Sequence, residues 1–472
     1  MKYKALIAAV LLICFPLTTW SLTLTEEAKM AKEIHLEVLK AFRLNNDPYV
    51  CLYMARLVKR LEPNAGVPFP VRITVVESGT PNAFATVGGY TYVTTGLIEM
   101  ADREEEVAGV LSHELAHVGR RHVAKRMEKE KPLSWATLAG VLLGAMGAFV
   151  PGAGALGPAL MTGTMAAAQT VSLKFSREDE DEADRFGLVT AEQSGYSGHG
   201  LSDFLKKIRA TESEKSIPQY LLTHPYSDVR AAKIESRITL PKTTVNTDFF
   251  PYIVARLKIL NKPFSPAIED MWMGKYSRDP KDPVAAYGAA LVYTIKGNTA
   301  KAEELIKEME SPYQKLFLGE IYVRTQRFKE AVEVLRDQTD PIADFFLASA
   351  LEGSGDLSGA AETLKSLFPY KENLPIIYQR YGMIVGRLGF DALGYEYLGR
   401  YYLEIGRPGP AKVNLEKAAA KYGRNSQEGN EVQVLLEELK PPKPEGKDGK
   451  TKEDPQNKQN KFFQQYSSHP LR

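Results

Sequence analysis

The chain has 472 residues, with 60 Lys and Arg against 58 Asp and Glu and a formal net charge of +2. That balance, with no basic stripe, excludes nucleic acid as a partner class, and the length accommodates about three folding units. Only two cysteines are present, Cys14 and Cys51, so no disulfide framework is available.

Residues 1–21 have the form of a secretory signal. Lys2 and Lys4 precede an apolar stretch from Ala5 to Leu17, and Thr19 and Ser21 are small residues suited to cleavage. A retained anchor competes with that reading, although the stretch is short for a full span. Leu11-Leu12-Ile13-Cys14 is a poor lipoprotein box because Ile13 is bulky. Cleavage after Ser21 leaves Cys51 as a single, buried apolar residue.

A helix is expected from Asp102-Arg103-Glu104-Glu105, which reads as a capping box. Val107, Val110, Leu111 and Leu115 give it an apolar stripe with a period near 3.6. It carries His113-Glu114-Leu115-Ala116-His117, an H-E-x-x-H motif. Residues i and i+4 stand on one helical face, so both imidazoles can reach one metal ion while Glu114 leans over a water beside it. Two solvated surface histidines are the plain alternative, but a buried helix carrying His, Glu and His needs a reason for them. His122 falls about 140° round an unbroken helix from His117 and is not expected as a ligand.

Pro132 to Leu173 contains no charged residue. Leu133–Val150 and Ala159–Val171 are expected as two helices around a turn at Pro151-Gly152-Ala153-Gly154. Their small residues permit close helix approach. A buried hairpin and a hairpin that contacts a membrane both fit 132–173. A further helix should start at the N-cap Ser176, with Asp179 three residues on, and stop at Gly195. It carries the acidic run Glu178 to Glu182 and then Asp184.

The region from Pro241 to Lys281 reads as a linker with a helix near Tyr252–Leu260. From Asp282 to about Arg424 the pattern repeats. Gly297/Ala302, Gln326/Ala331, Gly355/Ala360 and Gly406/Ala411 are each five apart. Ala290, Gly319, Ala348 and Gly399 precede the pairs by seven. This is the helix–turn–helix grammar of tetratricopeptide repeats, with Tyr381, Gly382, Leu388 and Gly389 marking a degenerate unit. Stacked helix pairs of this kind offer a surface for protein partners. Residues 425–472 read as a disordered tail rich in Pro, Lys, Gly and Glu.

His113–His117 followed by Glu180-x-x-Ala183-Asp184 resembles the zinc metallopeptidase family of the CAAX prenyl protease and HtpX. The resemblance implies one Zn²⁺ per chain on His113, His117 and Glu180, with Asp184 fixing a ligand histidine. Asn82–Ala85, Gly88-Gly89-Tyr90 and Thr94–Ile98 also resemble the family, departing at Val87 where relatives carry proline. By that resemblance Tyr90–Val93 is a strand at the edge of a small sheet, and Gly88, Gly89, Tyr90 and Val93 hold substrate backbone. Thr223-His224-Pro225 with Arg230 resembles a further family segment. It implies that His224 stabilises an oxyanion or is a displaceable fourth ligand, and that Arg230 orients carboxylates.

The expected fold is therefore α+β. A mostly helical zincin-like peptidase with a small sheet (22–240) is followed by a linker (241–281) and an all-α repeat domain (282–424). In the expected chemistry, zinc acidifies water and Glu114 takes the proton and delivers it to the leaving amine. The pairing of peptidase and repeats resembles periplasmic quality-control members of the family. It implies misfolded or stalled envelope proteins as substrates and outer-membrane assembly machinery as a partner of the repeats. A chaperone or scaffold with a little-used protease site is the alternative.

Overall fold

The computed structural model describes residues 22–129, 175–211, 218–423 and 426–439. The expected signal (1–21), the uncharged hairpin (132–173) and the last part of the tail lie outside the described residues. Among the described residues no helix is long and apolar enough to cross a membrane. The molecule is α+β, with one three-stranded sheet and a long run of paired helices.

Helix α1 (Leu24–Ala41) starts in a capping box between Thr23 and Glu26. Helix α2 (Pro48–Leu61) starts at Asp47, whose carboxylate accepts from the Tyr49 N–H, with Pro48 at its first position. The sheet has the order β1 (Arg72–Val76), β3 (Tyr90–Thr94), β2 (Ala83–Ala85). Strand β3 runs parallel to β1, with Arg72 opposite Tyr90, and antiparallel to β2, with Ala83 opposite Val93.

This corrects the expectation for Tyr90–Val93. Strand β3 is central, all five of its residues are buried, and both of its edges are paired. A strand without a free edge cannot take an added strand, so Tyr90 and Val93 are not placed to hold substrate backbone. Gly88 and Gly89 serve the turn instead. Their φ values are +72° and +85°, and a Cβ on Gly88 would lie 2.5 Å from the Ala31 Cβ of α1. The outer side of β1 is also covered, since the Asn45 N–H donates to the Val75 carbonyl at 2.9 Å. Strand β2 alone has an edge without a ladder partner among the described residues.

After α3 (Thr95–Met100) comes the central helix α4 (Glu104–Gly119), in which every residue from Glu104 to Val118 is buried. The expected capping box is absent. The N-cap is Arg103 with no side-chain bond, because Asp102 turns away to Lys207 Nζ at 2.6 Å. Three acidic residues in the first turn still complement the helix dipole. Helix α5 (His122–Lys129) follows a sharp break at Arg121, whose φ is +56°.

Helix α6 (Arg177–Gln193) begins in the expected Ser176–Asp179 box and ends before Gly195, φ +86°. It lies against α4 because Gly187 has no side chain; a Cβ there would meet the His113 Cα at 2.8 Å. Helices α7 (His199–Ala210), α8 (Gln219–Thr223) and α9 (Asp228–Ser236) close this half.

Helices α10 (Phe250–Leu260) and α11 (Pro266–Arg278) lead into five overlapping helix pairs. The pairs are built from α12 (Pro283–Ile295), α13 (Thr299–Glu308), α14 (Gln314–Arg324), α15 (Phe328–Leu335), α16 (Pro341–Ser354), α17 (Leu357–Ser366), α18 (Ile376–Arg387), α19 (Asp391–Glu404) and α20 (Pro408–Tyr422). The turns at Gly297, Gln326, Gly355, Gly389 and Gly406 all have positive φ. The degenerate unit obeys the same rule, with Gly382, Gly389 and Gly394 spaced by seven and five. Helix α19 serves as the second helix of that pair and the first of the next. The small residues admit large ones from the paired helix: a Cβ at Gly319 or Gly399 would meet Leu335 or Leu415 within 2.6 Å.

The expected start of the disordered tail at 425 is corrected by α21 (Gln427–Glu438), capped by Ser426. It buries Val432 against Leu415 and Ala418 of α20, and Glu438 bonds Lys32 of α1 at 2.5 Å. Composition near Pro441 hid one more apolar face.

The repeats and the half that carries H-E-x-x-H share one core. The Tyr49 ring contacts Phe249, Phe317 and Phe346. The Arg256 guanidinium, 1% exposed, donates to Asp47 at 2.7 Å, to Tyr287 Oη at 3.0 Å and to both oxygens of Glu320.

Candidate metal centre

The site is made where α4 and α6 cross. His113 and His117 are one turn apart on α4, and Glu180 and Asp184 are one turn apart on α6. His224 enters from the end of α8, and Arg230 from α9. Each of these side chains is under 9% exposed.

One ligand atom from each of His113, His117, Glu180 and His224 falls within 4.8 Å of every other. His113 Nε2 is 3.0 Å from His117 Nε2 and 3.1 Å from His224 Nδ1. Glu180 Oε1 is 3.0 Å from His224 Nδ1 and 3.4 Å from His117 Nε2. A tetrahedral ion with bonds of about 2.0–2.1 Å, typical of zinc–nitrogen bonds, separates its ligands by about 3.3 Å. Three imidazoles turned inward with one carboxylate, buried together, fit a divalent cation of that size.

The surrounding groups hold the cluster. His113 Nδ1 lies 2.9 Å from Asp184 Oδ1. Arg230 donates to both Asp184 oxygens at 2.7 Å and lies 2.6 Å from Glu180 Oε2. It also donates to the Pro225 carbonyl at 3.1 Å, anchoring the segment that carries His224. Burial alone would raise both carboxylates. His224 and Arg230 hold Glu180 well below its ordinary value, and His113 and Arg230 hold Asp184 below its own. Burial drives His117 well below the ordinary histidine value, toward the neutral form that ligates metals.

Glu114 is fully inside the site. Burial raises its carboxyl, against the pull of His224 and His113. His224 Nε2 is 3.4 Å from Glu114 Oε1 while its Nδ1 faces Glu180. The imidazole therefore stands between Glu114 and the ligand cluster. Burial lowers its basicity, but the two carboxylates more than compensate and raise it.

Three further groups surround the cluster. Phe175 lies over the His117 ring at 3.9 Å, and Tyr220 stacks on His224 at 4.7 Å, so aromatic walls line the site. His122 returns to His117, its Nδ1 2.8 Å from His117 Nδ1. Its Nε2 faces Glu182, and the helix does not run straight from His117 to it. Helical periodicity gave no signal for a residue beyond a left-handed break. His35, also without an assigned partner in the sequence, bonds Tyr92 Oη at 3.0 Å.

Residues 51–238 match the model of peptidase family M48. Over 449 residues the chain is 26% identical to the beta-barrel assembly-enhancing protease of Escherichia coli, covering 89% of this chain and 91% of that one. It is 32% identical to the protein of the same name from Yersinia pestis, over 51% of this chain and 49% of the relative. The putative beta-barrel assembly-enhancing protease of Vibrio cholerae is 32% identical over 58% of each chain. The chain thus spans about half the length of the relatives it resembles at the higher identity. The family match covers the crossing of α4 and α6 with its His-His-Glu-His cluster, so residues 51–238 resemble a peptidase family M48 domain at the place where the four ligand atoms converge.

Proposed function

We propose that this chain is a zinc-dependent endopeptidase of the bacterial envelope. On this reading His113, His117 and Glu180 hold the ion, one per chain, with Asp184 and Arg230 fixing His113 and Glu180. When bound, zinc supplies a Lewis acid that acidifies water and polarises a carbonyl oxygen. Glu114 accepts the proton of the attacking water at a carboxylate oxygen and returns it to the leaving amine nitrogen. Its raised pKa favours the protonated state through which it must pass. The convergence of four ligand atoms beside Glu114 carries this reading.

Strand β2, which packs on α4 and keeps an open edge, is the proposed seat for an extended substrate backbone. Names of relatives that refer to beta-barrel assembly support outer-membrane proteins that misfold or stall as the substrate class, and a periplasmic location. The first helices of the repeat pairs pack against the catalytic half through Phe317 and Phe346. Docking to assembly machinery is therefore proposed for the outward faces of the repeats.

Glu114→Gln is the direct test. The purified full chain should keep one zinc and lose more than about 10²-fold in peptide hydrolysis. Equal activity in both proteins would remove Glu114 from the chemistry. Expressed in cells, the same variant should hold uncut envelope proteins, and a trap that recovers none of them would overturn the substrate reading.

His224 is proposed as a latch, because its ring stands where a water between Glu114 and the ligands must sit. His224→Ala should then raise basal proteolysis, with visible self-cleavage. A fall in kcat by roughly 10²–10³-fold would instead make it an oxyanion donor, and unchanged activity would remove both roles.

A further inference from the structure

The two ligand histidines are held differently. His113 meets a carboxylate, Asp184, which is itself clamped by Arg230. Among the described residues, His117 meets no carboxylate on its outer nitrogen. Its Nδ1 faces the Nδ1 of His122 at 2.8 Å, and His122 Nε2 lies 2.9 Å from Glu182 Oε2. Arg120 Nε donates to the other Glu182 oxygen at 2.8 Å and stacks over Phe186, one turn further along α6. A line of four side chains thus runs from the site to the surface, beginning at a buried histidine and ending at residues with side-chain exposures of 26% and 40%.

The tautomers follow from the geometry. His117 turns Nε2 toward His113 and Glu180, so a metal taken there leaves the proton on Nδ1. His117 Nδ1–H then donates to His122 Nδ1, which must be bare. His122 keeps its proton on Nε2 and donates it to Glu182. Each donor meets an acceptor along a chain that ends on the Glu182–Arg120 pair.

The backbone is bent to allow this. Arg121 is one of two non-glycine residues with positive φ among the described residues, at +56°. Such a conformation is strained and persists only where surrounding structure holds it. The side chain itself is held on both sides: Arg121 bonds the buried Glu27 carboxylate and donates to the Leu22 carbonyl at 2.6 Å. Without the break, His122 would continue the helix away from His117.

We propose that His122 is a positioning residue for the metal ligand His117, and that the His117–His122–Glu182–Arg120 line sets the affinity of the site for its ion. This rests on the metal-site reading above, and the test separates the two. Zinc affinity is measured on the full chain by competition with a chromophoric chelator, with unfolding of the metal-free protein followed alongside. Wild type that takes no zinc overturns the site reading itself.

Given wild-type binding, His122→Phe keeps the ring volume and removes both nitrogens. It should weaken zinc about 10–100-fold, the usual loss for a partner of a metal-bound histidine. His122→Asn restores an acceptor near the lost Nδ1 and should recover much of that loss. Glu182→Gln, on the surface side, should shift affinity severalfold in the same direction. It remains readable if His122→Phe fails to fold. A folded His122→Phe with wild-type zinc affinity overturns the proposal, as does a Glu182→Gln that leaves zinc affinity unchanged.

Discussion

The two halves of this molecule are stabilised by opposite means. The catalytic half gathers charges into its interior: Glu114, Glu180, Asp184, His113, His117, His224 and Arg230 are all buried. Each is tolerable only because the others are there. Among the described residues the repeat half buries only two carboxylates, Glu320 and Glu396, and elsewhere fits small residues to large ones, Gly319 to Leu335 and Gly399 to Leu415. One arrangement is cooperative in charge and the other additive in volume. At the join the first style invades the second, where Arg256 reaches into the repeats for Glu320. Substitutions should therefore fail steeply in one half and gently in the other.

The largest effect is expected at Arg230. Arg230→Ala strips the positive partner from two buried carboxylates, Glu180 and Asp184. Breaking a buried pair from one side costs about 3–5 kcal/mol, read as a drop in the denaturant midpoint of the metal-free protein. Zinc should restore part of the loss, because a cation then faces Glu180. If Arg230→Ala unfolds at the wild-type midpoint without metal, the charges in this half are not mutually dependent.

The join comes next. Arg256 and Arg324 hold the buried Glu320 carboxyl down to about 2, although burial alone would raise it. A depressed carboxyl adds stability above its unfolded pKa and loses it as pH falls through the folded one. Here the contribution is whole above about pH 4.5 and vanishes toward pH 2, and a shift of that size corresponds to about 3 kcal/mol. Glu320→Gln should accordingly be destabilised at pH 7, and the gap to wild type should shrink by more than half at pH 3. A gap that stays constant with pH would mean that Glu320 contributes packing alone.

H-E-x-x-H was legible because its spacing is local and puts two imidazoles on one face of one helix. Glu180 and Asp184 also share one helical face, but only the family resemblance picked them out of the acidic run. The crossing that joins the two helices is marked by Gly187, which only the packed structure explains. Three features escape the sequence for a shared reason: the central place of Tyr90–Val93 in the sheet, the break that turns His122 back to His117, and the docking of α21. Strand order, a left-handed break and the docking of an amphipathic helix are settled by distant partners, and none has a period. In the repeats the five-and-seven spacing was readable because each turn needs the same backbone shape.

That turn offers the smallest and most discriminating comparison. The two non-glycine residues with positive φ are Arg121 in the catalytic half and Gln326 in the repeats, at +56° and +59°. Four of the five repeat turns use glycine at the matching position, where the left-handed region is free of steric cost. Gln326 is exposed, so Gln326→Gly removes a strain of about 1–2 kcal/mol against the extra chain entropy glycine loses on folding. It should raise stability by roughly 0.5–1 kcal/mol and leave zinc affinity and peptide hydrolysis unchanged. Arg121→Gly relaxes the same backbone strain but discards the bonds to Glu27 and to the Leu22 carbonyl. Glu27 is 1% exposed, and its carboxylate would lose its guanidinium. The same substitution should therefore stabilise one half and destabilise the other, with weaker zinc binding only for Arg121→Gly. Two changes of the same sign in thermal unfolding would show that the backbone, and not what the side chain holds, decides the stability of both turns.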